Sequence, residues 1–242
     1  NAERSVAGLL ESGNERWGLH VDGFDRHAGD VAVPVRLACT ATGELRYASR
    51  ICNSASQSHG GAMGGSAFWD HGYLGASVNT YQSRYGTVAE DQVSIGMRTT
   101  RYALESQITH LPGVFDSLKA RLSQTDYQHT EWNASVPGTV FDSHGHDLRV
   151  EARHKPLSGW QGVWGLQVES SRFAATGEEA FAPFSRTRAQ AVFVHEERPT
   201  DWGRIQAGAR WESVQVRSLG NPASDRFEAG LRQFTPFSLA TG

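Results

Sequence analysis

The sequence has no long run of apolar residues. Over its 242 residues, no stretch approaches the about 18 to 20 consecutive apolar positions that a membrane-spanning helix needs. A helical membrane protein is therefore excluded. Soluble proteins and β-barrels remain, because a barrel crosses a membrane with strands that are apolar on one face only.

The sequence also has no cluster of lysine and arginine. Its formal net charge is −3, and the arginines and histidines are scattered along the chain. Proteins that bind nucleic acid carry a basic patch or stripe that neutralises phosphates. No nucleic-acid partner is therefore expected.

Motifs of the common enzyme families are missing as well. The sequence contains no G-x-S-x-G, no H-E-x-x-H and no Walker motif, and neither cysteine stands where a nucleophile is expected. We therefore predict that the protein is not an enzyme. A catalytic serine, histidine and aspartate on a barrel wall is the alternative.

Cysteine is scarce. The two cysteines, Cys39 and Cys52, lie in a polar stretch with no C-x-x-C or zinc-finger spacing. We predict a local disulfide, which for a loop of this size stabilises by about 3 kcal/mol and indicates an oxidising compartment. Two buried free thiols are the alternative.

What the sequence does have is alternation of apolar and polar residues from end to end. Successive strand side chains point to opposite faces, so this period of two predicts β-strands with one apolar and one charged face. In residues 203–212, for example, the two sets are Ile205, Ala207, Ala209 and Trp211 on one face and Gln206, Arg210 and Glu212 on the other.

Turn signals divide the chain into long hairpins. Tight turns at Asp70, Leu111, Leu157 and Asp201 recur every 40 to 46 residues or so, and longer polar loops alternate with them near 28–60, 85–91, 131–138, 175–186 and 218–225. We predict an antiparallel meander of about ten or eleven strands. The strands are approximately 4–12, 15–27, 61–69, 73–84, 92–109, 115–130, 139–155, 160–174, 185–198, 204–217 and 226–237.

Long two-faced strands, with short turns at one end and long loops at the other, are typical of an outer-membrane β-barrel. A propeller is disfavoured because its strands are short, whereas a soluble β-sandwich stays open as an alternative. A charged inner face must hold water or a polar plug, which requires a wide barrel. We therefore interpret residues 1–242 as one partial barrel domain.

The residues also resemble a known family, the TonB-dependent outer-membrane receptors, and within it the branch that takes up zinc and haem. The likeness is carried by segments in the second half and middle of the chain. They are RYGTVAED (84–91), TRYALE (100–105), LPGVFDSLKARLSQTDYQHTE (111–131), VPGTVFDSHGHDLRVEARHKPLSGWQGVWGLQ (136–167), FAATGEEAFAPFSRT (173–187), FVHEE (193–197) and GARWE (208–212).

The resemblance implies an all-β, transmembrane antiparallel meander that forms part of a barrel of about 22 strands in the bacterial outer membrane. It implies active uptake of a metal or metal complex, with zinc favoured and haem or a siderophore next, and no built-in cofactor. The expected partners are outer-membrane lipid, the metal ligand and the TonB energy-transducing complex, which acts through a plug domain that this sequence lacks. Residues 28–60, with Cys39 and Cys52, fall where the family carries an extracellular loop.

Two other functions stay open. One is a passive, porin-like channel, and the other is a soluble β-rich binding module of the periplasm.

Zinc is bound by imidazoles and carboxylates, and several of these groups lie near the predicted outer loops. His144 and His146 are spaced by two and project to the same side of a strand. Glu178 and Glu179 fall at the tip of another outer loop, and His129 precedes Glu131 at the top of a strand. These five residues are the predicted metal ligands, with solvated loop and rim residues as the alternative interpretation.

Overall fold

The computed structural model describes residues 2–40, 44–177 and 180–242. Within these ranges every helix or strand is a β-strand, and no helix is long and apolar enough to cross a lipid bilayer. The strands are β1 (Glu3–Gly13), β2 (Trp17–Ala28), β3 (Ala32–Cys39), β4 (Arg46–Arg50), β5 (Ser56–Trp69), β6 (Gly72–Gly86), β7 (Val93–Thr109), β8 (Phe115–Asn133), β9 (Val136–His154), β10 (Gln161–Thr176), β11 (Ser185–Thr200), β12 (Gly203–Asn221), β13 (Ser224–Phe234) and β14 (Phe237–Thr241).

One large antiparallel sheet contains all of these strands except β3 and β4. Its order is β1-β2-β5-β6-β7-β8-β9-β10-β11-β12-β13, and β14 also pairs with β12. β13 and β14 pair one after the other with the same edge of β12. Thr235 and Pro236 separate them, because proline has no N–H to donate to the ladder. The all-β antiparallel meander predicted from alternation is confirmed.

The register gives the sheet two chemically different faces. Leu166 lies between Val150 and Val192, whereas its neighbour Gln167 lies between Arg149 and Ala191. We call the first side the apolar face, which carries Leu104, Leu122, Leu148, Leu166, Val192 and Trp211, and the second side the inner face, which carries Glu105, Arg121, Arg149, Gln167 and Glu212.

The apolar face is not covered by a second layer in the described part of the chain. Leu122 is 48% exposed, Val192 54% and Phe237 61%, although burying such a side chain is worth about 1.5 to 3 kcal/mol. Buried hydrophobic residues are few and small, apart from Phe141. A soluble sandwich would bury this face between two sheets, so that alternative is not the fold observed.

Two predicted long loops are strand ends instead. β8 and β9 meet across residues 134–135, and β12 and β13 meet across residues 222–223. The loop predicted at 28–60 contains β3 and β4, and β5 begins at Ser56. The sequence conceals these strand ends because Asn133, Pro137, Gly220 and Pro222 are turn-type residues, and they interrupt the alternation of apolar and polar residues.

The β3–β4 hairpin is anchored at both its disulfide and its contacts with the β6–β7 loop. Cys39 and Cys52 are bonded, with 5.8 Å between their Cα atoms. The side-chain amide of Asn53 donates to the carbonyl oxygens of Thr87 at 3.0 Å and Glu90 at 2.9 Å. A Cβ on Gly86 would lie 2.0 Å from Asn53 Oδ1, so only glycine allows this approach.

Candidate functional site

The inner face carries a network of paired charges across neighbouring strands. On β7, Glu105 accepts hydrogen bonds from the Tyr73 hydroxyl of β6 and from Nε of Arg121 on β8. Lys119 Nζ, also on β8, lies 3.0 Å from Glu105 Oε1, the same oxygen that accepts the hydrogen bond from Tyr73. One carboxylate therefore joins three strands.

The network continues on β9 to β12 through Gln167. Arg149 pairs with Glu151 at 2.6 Å, and Arg210 pairs with Glu212 at 2.8 Å. Both guanidinium groups donate to Gln167 Oε1, at 3.4 Å from Arg149 and 3.3 Å from Arg210.

An aromatic ring completes this second group. The guanidinium carbon of Arg149 lies 4.3 Å from the ring centre of Phe193, and that of Arg210 lies 5.8 Å from it. A cation over an aromatic face is held by the ring quadrupole. The paired charges make the inner face polar, so it suits contact with water or a polar element and not with lipid.

An aromatic cluster lies on the inner face at the end of the strands opposite the tight turns. We define it by His129, Phe141, Phe173 and Phe181. Ring centres are 4.9 Å apart for His129 and Phe141, 6.3 Å for Phe141 and Phe173, and 5.4 Å for Phe141 and Phe181.

The cluster is the packed core of this end of the molecule. Phe141 is 6% exposed, and its cross-strand partner Ala175 is fully buried. Ala180 packs against both, so the segment after β10 folds back over the inner face. By Phe184 the chain has returned to the sheet, because the Phe184 amide donates to the Gly220 carbonyl at 2.9 Å beside the first β11–β12 pair.

Of the predicted ligands that the structure describes, His129 alone lies on the inner face. Its Nδ1 lies 3.4 Å from the Tyr127 hydroxyl, and its Nε2 is buried without a hydrogen-bond partner in the described ranges. The Glu131 carboxylate is 3.9 Å from Nε2, too far for a hydrogen bond. A buried unsatisfied polar atom costs about 1 to 3 kcal/mol, so it indicates a missing partner.

His144 and His146 lie on the other side of the sheet. As their spacing of two requires, both are on one face of β9, but it is the face that carries Leu148 and Val150. His144 Nδ1 is 2.7 Å from Asp126 Oδ1, and His146 lies opposite Gln124. The structure therefore does not bring these two imidazoles together with His129.

Glu178 and Glu179 lie outside the described residues. Among the residues that are described, no three His, Cys, Asp or Glu side chains gather in a way that could hold a metal ion. The metal set predicted from the sequence remains a prediction.

Sequence reasoning missed the Glu105 and Gln167 networks and the aromatic cluster. Their members are far apart in the chain, as with Gln167 and Arg210. Two features of the sequence could have indicated them. Every second residue of a strand lies on the same face, and the meander order tells which strands are neighbours.

No family model matches the chain. Solved structures do. The "Copper transporter OprC" has a TM-score of 0.78 at 11% identity, covering 97% of this chain and 39% of its own. The FrpB iron transporter from Neisseria meningitidis has a TM-score of 0.75 at 9% identity, covering 98% of this chain and 42% of its own.

A third match is the hemophore receptor HasR of Serratia marcescens in complex with its hemophore HasA and heme. Its TM-score is 0.63 at 12% identity, and the match covers 99% of this chain and 40% of that one. This chain has the antiparallel meander fold of part of these barrels. It spans about two fifths of their length, and at these identities the likeness shows the fold alone.

Proposed function

We propose that the chain forms part of a TonB-dependent receptor of the bacterial outer membrane, which takes up a metal or a metal complex actively. The observation that carries this proposal is the two-faced sheet. In the described residues its apolar face is uncovered, whereas charges of its inner face form ion pairs between β7 and β8 and within β9 and β12. Lipid outside and a polar plug or water inside fit these two faces. The similarity to transporters of copper and iron supports the same class of cargo.

For the cargo, we favour a metal complex over a bare zinc ion. The ring of Phe181, which is 72% exposed above the buried part of the aromatic cluster, offers apolar surface that suits an organic ligand around a metal. A bare zinc ion needs about four close ligands, and the predicted imidazoles are divided between the two faces.

Uptake by cells that make the full-length protein tests the proposal. Accumulation of radioactive iron supplied as haem or as a ferric siderophore should require the protein and should stop when a protonophore removes the proton gradient. Accumulation that continues without the gradient would instead support the passive channel.

Conductance separates the same alternatives in a purified system. In a planar bilayer, the full-length protein should be nearly closed, because an energised receptor is plugged. A steady open conductance indicates a porin-like channel. Extraction of the protein into buffer without detergent would rule out both membrane functions and favour the periplasmic module.

Zinc at His144 and His146 is the second candidate ligand. Asp126 holds the His144 ring, as a carboxylate does beside many metal-bound imidazoles. Changing both histidines to alanine in the full-length protein should weaken zinc binding, whereas His71→Ala in the β5–β6 turn should not. Equal zinc affinity in all three proteins, measured by calorimetry, removes this site.

A further inference from the structure

Four arginines form a patch on the apolar side of the sheet, beyond the apolar residues themselves. Arg172 of β10 lies opposite Arg186 of β11, and Arg186 lies opposite Arg217 of β12. Arg188 is two residues along β11 from Arg186. We call these four residues the arginine patch.

The register places the patch on the same face as the apolar side chains. Arg172 and Val168 are four residues apart on β10, and Arg188 and Val192 are four residues apart on β11. At about 3.3 Å per residue, each arginine is about 13 Å along its strand from the apolar residue. The patch therefore borders the apolar surface, at the end that carries the aromatic cluster.

Within the described residues, the charges of the patch have no carboxylate partner. All four arginines are exposed, and no carboxylate of the described residues lies within 4 Å of their guanidinium nitrogens. On the inner face, by contrast, Arg121, Arg149 and Arg210 each pair with a glutamate.

The neighbouring acids are engaged elsewhere. Asp126 pairs with His144, and Asp142 accepts a hydrogen bond from Gln128 at 2.9 Å. Asp142 lies opposite Ala174, one place beyond Arg172 on the same face. Like charges directly opposite each other on a sheet are destabilising, so three arginines in one row favour a bound anion.

We propose that the arginine patch binds the phosphate groups of an anionic lipid headgroup in the outer leaflet. The acyl chains of a lipid contact the apolar face, which places its anionic headgroup beside the patch. A free anion makes no contact with the apolar face. Arginine binds phosphate through paired N–H groups, and basic clusters beside a membrane attract anionic lipids. Arg172 to Arg217 spans two strand spacings, about 10 Å, which is wide enough for a headgroup with more than one phosphate. The inference rests on the proposed membrane location.

The test uses the full-length protein in detergent and a variant with Arg172→Gln, Arg186→Gln and Arg217→Gln. The matched control replaces Arg16, Arg153 and Arg198 with glutamine, since these are also exposed and form no ion pair in the parts of the chain described. Native mass spectrometry measures binding of bisphosphorylated lipid A, of the same lipid without phosphates, and of inorganic phosphate. Circular dichroism and heat-dependent gel mobility show that the variants are folded.

We expect the triple variant to bind bisphosphorylated lipid A about 100-fold more weakly than wild type. Each arginine contributes a factor of about five to the affinity, and the three factors multiply. The control should bind as wild type does. Equal binding by the patch variant overturns the inference, as does equal affinity for the lipid without phosphates or for inorganic phosphate. If wild type takes up its cargo actively but the patch variant keeps its lipid affinity, only this inference fails. A protein found outside the membrane fraction contradicts the proposed function itself.

Discussion

Phe141 is the residue whose removal should most clearly separate the aromatic cluster from the rest of the sheet. It is 6% exposed and contacts the rings of His129, Phe173 and Phe181. Changing a buried phenylalanine to alanine costs about 3 to 5 kcal/mol, from lost burial and the cavity left behind. We expect about 3 kcal/mol for Phe141→Ala, since the segment above it can settle into the space.

The loss should be local. The ladder hydrogen bonds of β9 do not depend on the Phe141 side chain, whereas Ala180 and Phe181, at the start of the segment 180–184, contact it directly. A cost of about 3 kcal/mol raises the opening of that segment about 100-fold. Hydrogen exchange followed by mass spectrometry on the full-length protein should show faster exchange at residues 180–184 and little change in β6 and β7.

Phe234→Ala is the matched control, because Phe234 also lies on the inner face but is 54% exposed. It should leave exchange at residues 180–184 unchanged. If Phe141→Ala leaves that segment as protected as in wild type, the cluster does not hold it and the reasoning is refuted.

Three further predictions concern the β3–β4 hairpin. Gly86→Ala should loosen the hairpin by forcing Asn53 away, seen as faster proteolysis within residues 44–52, and Ser83→Ala nearby should not. Reducing the Cys39–Cys52 disulfide should cost about 3 kcal/mol locally, measured by exchange of the same residues; unchanged protection would contradict this. The backbone amide and hydroxyl of Thr40 lower the pKa of Asp91, so their contribution is full at neutral pH and is lost as pH falls from the ordinary aspartate value through the lowered one. Exchange in the hairpin, corrected for intrinsic rates, should rise over that acidic range in wild type, and this rise should be absent in Asp91→Asn.

The alternation of apolar and polar side chains could be predicted from the sequence because it depends only on neighbouring residues in the chain. Leu148 and Val150 alternate with Asp147 and Arg149 whatever strand lies beside them, so the two faces follow from the chain alone. His144 and His146 are separated from Leu148 by an even number of positions along the strand. The sequence alone therefore places both histidines on the apolar face. The strand ends near residues 133 and 221 could not be predicted, because asparagine, glycine and proline there resemble the residues of a loop.

The sequence by itself thus determined the meander and the chemistry of each face, because a strand's period of two is a property of its own backbone. Only the tertiary structure decided which residues meet. Glu105 reaches Arg121, His129 meets Phe141, and Arg172, Arg186 and Arg217 form one row although they are scattered in the chain. These meetings depend on register, which the turns and the hydrogen bonds between neighbouring strands set, and a shift of one residue would move each of these side chains to the opposite face.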